Sequence, residues 1–549
     1  MKFIYYSIFF LFFLQYGATA QTLPVNMPVM DELIRDLQLQ GKLNASHSLM
    51  ARPFFYSNNL TTDSLYGLIS PDNAIKSKAT SLLRKTGKFE WLPFTWENQF
   101  NSHHPYGWNN SGMIEAKGYQ TEISGGFFLS SGILSAQLMP QLIYAQNPNF
   151  EYGQQYGAPT KGTYKKIFAG QSSIRLSAGG VSIGVSTENM WWGPGIQNSL
   201  VMSNNAPGFP HITLNSTKPL HTAIGNIEFQ MIFGKLTEDT NVLLENKDLT
   251  TFYYGEGQNG SIGYPPALPN PALDKGNWRY VNGMTITYNP KWIKNLFIGI
   301  SRVGYVYRDS MLASNGFLHN YLPVFTGIFR SGSSFKGIQF TSGGLKQLGT
   351  FSFRYLFPKA KAELYVEYGY NDAIANLRDL LMSSDHASAF TAGFKKLYAL
   401  PHHKWLDVNA EITNLAQSAD NSIRTAGYWY LYSGGYTYQS RIIGSGMGMG
   451  NNMQTITISL KQGFNATGII LQRLVHDPNP DYGTIANYAS DNRNHTWQDL
   501  SAGFQFRKLI QHRLLLNFLL QGIYSGNYAW IENKNVFNLH GLLNFIYYL

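Results

Sequence analysis

No cysteine occurs anywhere in the 549 residues, so neither a disulfide framework nor an acylated lipoprotein N-terminus is available to this chain. Charge is scarce as well. Asp, Glu, Lys and Arg make up 13% of the sequence, against about 25% in ordinary soluble domains. Beyond residue 20 there is no run of about 18 or more consecutive apolar residues, which excludes a helical membrane protein. Runs of five or six basic residues are also missing, and with them the usual mark of a nucleic-acid partner.

Aromatic residues reach 15%, and there are 53 glycines. Together with the low charge they favour a transmembrane β-barrel over a soluble fold. A mean hydropathy of -0.20 agrees, because a polar lumen and polar loops dilute the lipid-facing side of a barrel. The N-terminus predicts export. Lys2 gives a positive start, Phe3 to Leu14 an apolar core and Ala18-Thr19-Ala20 a small-x-small cleavage site, so residues 1–20 read as a signal peptide and the mature chain begins at Gln21. The formal charge is +10, and the loss of Lys2 lowers it by one. Such an excess suits an anionic partner, an acidic polysaccharide or lipopolysaccharide phosphates, by long-range attraction; equally, it is spread along the chain and needs no ligand.

Residues 21–90 differ from the rest of the chain. Leu33, Ile34, Leu37 and Leu39 recur at near-helical spacing behind Asp31, predicting a helix within Pro28 to Lys42, and Asp72 is placed to cap a second helix through Ile75, Ala79, Leu82 and Leu83. This stretch reads as a small, partly helical periplasmic segment, much shorter than the plug of a TonB-dependent transporter. From residue 91 to 549 the pattern becomes strands of about ten residues with period-two alternation. Arg279 to Asn289 and Leu296 to Tyr307 flank the turn Asn289-Pro290-Lys291, and Thr350 to Phe357 and Ala362 to Tyr370 flank Pro358-Lys359. The last strand, Val536 to Leu549, places Leu543, Phe545, Tyr547 and Leu549 on one face.

About seventeen strands are evident, yet single-chain bacterial barrels carry even numbers. Counting from both ends requires one more descending strand between about Ser199 and Ser216, with a periplasmic turn near Lys218-Pro219. The sum is then about eighteen antiparallel strands. The same parity puts the long connections outside, at roughly 146–170, 188–198, 237–278, 307–344, 371–387, 416–451 and 475–495, as outer-membrane barrels require.

One run stands out: Thr187-Glu188-Asn189-Met190-Trp191-Trp192-Gly193-Pro194-Gly195, then Asn198-Ser199-Leu200 and Ala206-Pro207-Gly208-Phe209-Pro210. It resembles the capsule-assembly Wzi family. The stretch Leu33 to Gly41, with Arg52-Pro53 after it, is similar to the start of Bacteroidetes-type members. The resemblance implies an eighteen-stranded barrel in the outer membrane of a Gram-negative bacterium, with a small helical periplasmic part. It further implies a lectin-like protein that binds exported capsular polysaccharide and organises it at the surface, without catalysis.

For binding, Trp191 and Trp192 can stack on sugar rings while Glu188 and Asn189 bond hydroxyls; the preferred alternative is that they shape the barrel at a Gly-Pro-Gly bend. Tyr428, Trp429, Tyr430, Tyr432, Tyr436, Tyr438 and Arg441 form a second aromatic platform on a predicted external loop, or else pack on one another. Tyr253, Tyr254, Tyr264 and Pro265 to Pro271 can cap the pore. His476, Asp477, Asp481, Asp491, His495 and Asp499 form a polar loop whose spacing matches no metal motif. The pairs His103-His104 and His402-His403 are poor chelators, because strand neighbours point to opposite faces. No nucleophile elbow, metalloprotease helix or phosphate loop is present, and no cofactor is expected. A porin-like channel or a barrel component of another surface complex is the alternative reading, and an outer-membrane hydrolase the third. Outer-membrane lipid and lipopolysaccharide are the expected surroundings.

Overall fold

Alternation in the wall strands has the opposite sense to that of a soluble sheet. In Lys346–Phe357 the side chains of Phe351, Phe353, Tyr355 and Phe357 are exposed, whereas Thr350, Ser352 and Arg354 are buried. The same holds in Val536–Tyr547, where Phe537 and Tyr547 face out and Asn538, His540 and Asn544 face in. An apolar exterior around a polar interior is stable only when lipid is the outer solvent.

The computed structural model describes residues 21–43, 46–56, 67–69, 87–148, 162–237, 278–308, 311, 321–325, 346–371, 388–416, 436–439, 441–448, 450–476 and 495–548. The expected second helix from Asp72 and the signal peptide lie outside them. Eighteen antiparallel strands close into one barrel. Three are interrupted: Leu134–Leu138 with Gln141–Ala145, Tyr164–Phe168 with Ser173–Ala178, and His211–Ser216 with Leu220–Thr222. Val536–Tyr547 completes the ring against Gly87–Asn101, from His540 opposite Asn101 to Tyr547 opposite Phe94. Within Gly87–Asn101 the register shifts between Leu92 and Thr95, around Pro93, which has no N–H to give the ladder.

The strand inferred by parity is His211–Ser216 and its continuation Leu220–Thr222, both paired with Gly225–Leu236. Its turn is not at Lys218-Pro219, which sit in the interruption, but between Thr222 and Gly225. Gly225 has φ +146, and a Cβ there would lie 2.2 Å from the Asn289 carbonyl oxygen. Connections of two to five residues gather at one end of the barrel and the long ones at the other; the short-turn end faces the periplasm.

Residues 21–43 and 46–56, expected as a periplasmic segment, are packed inside that short-turn mouth. Helix α1 (Pro28–Leu39) opens on Pro28 in its first turn. It stops at Gly41, φ +75, where Gly41 N–H donates to Gln38 O at 3.1 Å and Lys42 N–H to Leu37 O at 2.9 Å, the paired bonds of a Schellman ending. Met30, Leu33, Ile34 and Leu37 pack on Phe464, Leu515, Ile546 and Tyr548 at the periplasmic rim. The charged side of α1 meets charges of the wall. Lys461 bonds Asp36 (2.6 Å) and Asp407 (2.5 Å), Lys395 bonds Asp36 (2.9 Å) and Asp407 (2.7 Å), and Arg507 bonds Glu32 (2.7 Å). Arg35 pairs with Glu363, whose other oxygen is held by Arg354 at 2.6 Å. A charge taken out of water costs several kcal/mol unless paired, so these contacts fix where α1 can sit. The wall itself begins at Gly87.

Residues 187–210 fold inward from the long-loop end. Trp191–Trp192 pairs antiparallel with Ala51–Arg52, and Gly193 N–H donates to Met50 O at 2.8 Å. The N-terminal segment and the infolded loop thus clasp each other within the lumen.

Candidate functional site

The Trp-Trp-Gly-Pro-Gly run is the hinge of this clasp. Trp192 is fully buried among Leu200, Val201, Met202, Phe209, Val281 and Tyr305, and its Nε1–H donates to Gln230 Oε1 at 2.8 Å. The wall makes room for it at Gly283, where a Cβ would come within 2.9 Å of the ring. Trp191 turns the other way, its ring 4.8 Å from the Arg52 guanidinium carbon. Gly193 has φ +133, and a Cβ there would meet the Glu367 carboxylate at 2.6 Å. Pro194 O accepts from Arg35 (2.7 Å) and Gly195 O from Arg52 (3.2 Å). Directly after, the N–H groups of Ile196 (2.7 Å), Gln197 (3.1 Å) and Asn198 (2.9 Å) converge on the Glu411 carboxylate, an anion held by successive backbone donors.

Glu188 and Asn189 are committed to protein partners. Glu188 bonds Arg175 at 2.6 Å and Ser186 Oγ at 2.9 Å, and accepts from the Thr22 hydroxyl. Burial pushes its carboxyl up, but Arg175 outweighs that and holds it below the ordinary value. Asn189 accepts from Gln171 at 2.7 Å and donates to Ala206 O at 2.7 Å. Arg441 donates to Ser111 O at 2.6 Å; burial lowers its pKa to about 10, against the opposing pull of Glu115.

Tyr428, Trp429, Tyr430 and Tyr432 lie outside the described residues, as do Tyr253, Tyr254 and Tyr264. Tyr436 and Tyr438 are described. Tyr436 stands 5.6 Å from the Tyr305 ring of the wall and Tyr438 6.0 Å from Phe209, so this part of the platform packs on the wall and on the infolded loop. In the polar loop His476 and Asp499 do come together, at 2.8 Å, with the His476 ring stacked 3.5 Å from Trp497. His104 lies beside them and Ser525 Oγ is 3.4 Å from its Nε2, but His104, Trp497, Ser525 and Tyr528 are all buried. The group ties strand ends together. Burial pulls His104 down to about 3, which keeps it neutral. His495 is 3.4 Å from Glu532; Asp477, Asp481 and Asp491 lie outside the described residues. His402 and His403 form the predicted periplasmic turn, both at positive φ.

Glu32, Asp36 and Asp407 bring three carboxylates within 4.8 Å of one another. Lys395 and Lys461 already occupy the space between them, so the arrangement neutralises itself without an ion.

Sequence reasoning missed a cavity of about 350 Å³ between α1 and the infolded loop. Trp108, Trp191, Arg52, Glu97, Asn204 and Asn544 are among its lining residues. They come from five distant segments. The available signal was the inward phase of each strand: Glu97 and Asn544 occupy lumen-facing positions in their alternation.

The model of the capsule assembly protein Wzi family matches residues 102–521. The chain belongs to that family. Among solved structures, Wzi of Escherichia coli, an outer-membrane protein involved in group 1 capsule assembly and a carbohydrate-binding β-barrel, is similar at TM-score 0.59 and 13% identity, covering 96% of this chain and 99% of that one. OccK7 of Pseudomonas aeruginosa is similar at TM-score 0.39 and 9% identity, over 85% of this chain and 99% of its own. OprD of the same species gives TM-score 0.38 and 7% identity, over 83% and 92%. No curated protein matches. This Wzi-family member is an outer-membrane β-barrel, and its diagnostic run serves first as the joint between wall, loop and N-terminal segment.

Proposed function

We propose that this Wzi-family barrel binds exported capsular polysaccharide and helps to assemble or attach it at the cell surface, by non-covalent recognition. The observation that carries the reading, beside family membership, is the doubly stoppered lumen: α1 fills the periplasmic mouth, the 187–210 loop fills the middle, and Ala51–Arg52 joins them through Trp191–Trp192. A general porin needs a continuous aqueous path, and this arrangement argues against one. Recognition then falls to surfaces on the external side. The aromatic residues Tyr428, Trp429 and Tyr430 are proposed contacts there, since planar rings offer sugars an apolar face. Glu188, Asn189, Trp192 and Arg441 support that surface from below through the partners described above. Export by the 1–20 signal peptide and contact with outer-membrane lipid and lipopolysaccharide belong to the same proposal.

A deletion strain tests it. Polysaccharide should shift from the cell-bound fraction to the medium and return on complementation, with uptake of small solutes unchanged. Unaltered retention of polysaccharide together with lost solute uptake would reverse the reading in favour of a channel.

A further inference from the structure

The chain's positive excess is scattered in sequence, but the fold gathers part of it. At the short-turn end three successive hairpins of the wall stand side by side: Arg279–Pro290 with Leu296–Tyr307, Lys346–Phe357 with Ala362–Asn371, and Ser388–Leu400 with Lys404–Asn414. Their turns and the strand positions beside them hold Lys291, Lys294, Lys359, Lys361, Lys396 and Lys404. Strands lie about 4.8 Å apart, so neighbouring turns are about 10 Å apart and the six ammonium groups form one arc. Lys291, Lys294 and Lys359 are exposed. Among the described residues no carboxylate is paired with any of the six; the nearby acids Glu363 and Asp407 face the lumen, where Arg35, Arg354, Lys395 and Lys461 hold them.

This arc is one-sided. Elsewhere around the ring the turns Gly132-Ile133, Gly179-Gly180 and Ala223-Ile224 carry no charge, so the lysines are not a uniform coat that keeps the rim in water. Nor does turn geometry call for them. Lys361 sits at φ +50, a left-handed position that glycine fills at lower cost. The turn between Asn452–Gln462 and Asn465–Val475 does use glycine there, with Gly463 at φ +56.

Location narrows the partner. The outward faces of the same strands end in Tyr355, Phe357, Tyr398 and Leu400, all exposed, and aromatic side chains gather where a membrane meets water. Lys396 lies against this belt, its Nζ 4.9 Å from the centre of the Tyr398 ring and donating to Ala360 O at 2.9 Å. The arc therefore starts at headgroup level, where the groups within reach of a lysine are lipid phosphates. Clustered ammonium groups without a counter-ion attract lipids of net negative charge, whereas a zwitterionic lipid offsets its phosphate with its own cation. We propose that this arc of periplasmic turns is a binding site for anionic phospholipid headgroups of the inner leaflet. It adds a place and a headgroup preference to the lipid contact proposed above and does not depend on the polysaccharide reading.

The test offers the purified, detergent-folded full chain equal amounts of phosphatidylglycerol and phosphatidylethanolamine with the same acyl chains, and measures by mass spectrometry which lipid stays with the immobilised barrel. Phosphatidylglycerol should be retained about fivefold or more over its competitor, a preference that high salt weakens. Replacing Lys291, Lys294, Lys359 and Lys361 together by glutamine should bring retention to parity while heat-modifiable migration shows the barrel folded. A second variant, with glutamine at Lys165, Lys235, Arg302 and Arg473, removes the same charge from strand positions toward the long-loop end and should keep the preference. Parity in the parent overturns the proposal but leaves lipid contact standing, and retention of neither lipid sinks both. An equal loss in the second variant also overturns it, by tracing the preference to net charge instead of the arc. Displacement of the bound lipid by polygalacturonate would reassign the arc to a soluble acidic polymer and overturn it as well.

Discussion

The two stoppers of the lumen are built from different forces. At the periplasmic mouth α1 is seated by ion pairs, with Asp36 between Lys395 and Lys461 and Arg35 against Glu363. Further out the 187–210 loop is seated by volume and backbone bonding, with Trp192 enclosed by apolar side chains and three N–H groups on Glu411. The difference teaches where each tolerates change. A buried pair adds little stability over an apolar isostere, yet breaking one is expensive; a packed side chain loses stability in proportion to what is removed.

The largest expected effect comes from the first stopper. Glu363→Ala leaves Arg354 and Arg35 without their shared carboxylate and should cost about 3–5 kcal/mol, read as protease cleavage within residues 21–56 of the folded barrel. If cleavage is no faster than in the parent, the ionic account of α1 is wrong. Trp192→Ala should cost about 3–4 kcal/mol, as large-to-small core changes do, with the loop rather than α1 becoming protease-sensitive; simultaneous loosening of both would mean that the clasp couples them. Gly193→Ala adds a Cβ at φ +133 against Glu367 and should cost about 1–3 kcal/mol, visible as a lower unfolding temperature.

Acid should separate the outer loops from α1 more gently. His104, at the outer end, has its pKa lowered by burial to about 3 from 6.5. Between those values the unfolded chain binds more protons, so stability contributed by neutral His104 is present above about 6.5 and is lost as the pH falls toward 3. Glu32 is held well below its ordinary 4.5: burial opposes this, but Lys461 and Arg507 prevail. Its contribution begins to decline only below about 4.5. Hydrogen exchange measured at pH 7, 5 and 4 should show the outer loops opening before α1, and His104→Gln should abolish the first phase. Trp292→Ala, in an exposed periplasmic turn, should change stability by less than about 0.5 kcal/mol and leave both stoppers protected.

The wall was legible because its information is local. Period-two alternation names strands, turn residues end them, and even parity demanded the strand found at His211–Ser216. That strand's turn was misplaced because Pro219 breaks a ladder as readily as it ends one. The helix at Pro28–Leu39 was equally legible, but not its seat. Its partners Glu363, Lys395, Lys461 and Arg507 lie more than three hundred residues away, and nothing in a periodic pattern couples them. At the candidate site the Trp191-Trp192 run marked the family, yet its bond to Ala51–Arg52 is a two-residue pairing with no sequence period. The cavity was invisible for the same reason, its walls being supplied by segments each unremarkable alone.

Closure of the ring on Gly87–Asn101 bears on how long the molecule lasts once made. The seam joins positions about 440 residues apart, as in His540 Nδ1 against Asn101 Oδ1 at 2.9 Å. Until it forms, two sheet edges stand open in lipid, where every unmet N–H or C=O costs several kcal/mol. No half-ring is a stable resting state, and the same barrier that slows formation of so non-local a contact opposes its reversal. The barrel's durability is therefore kinetic, set by the rate at which one seam unzips.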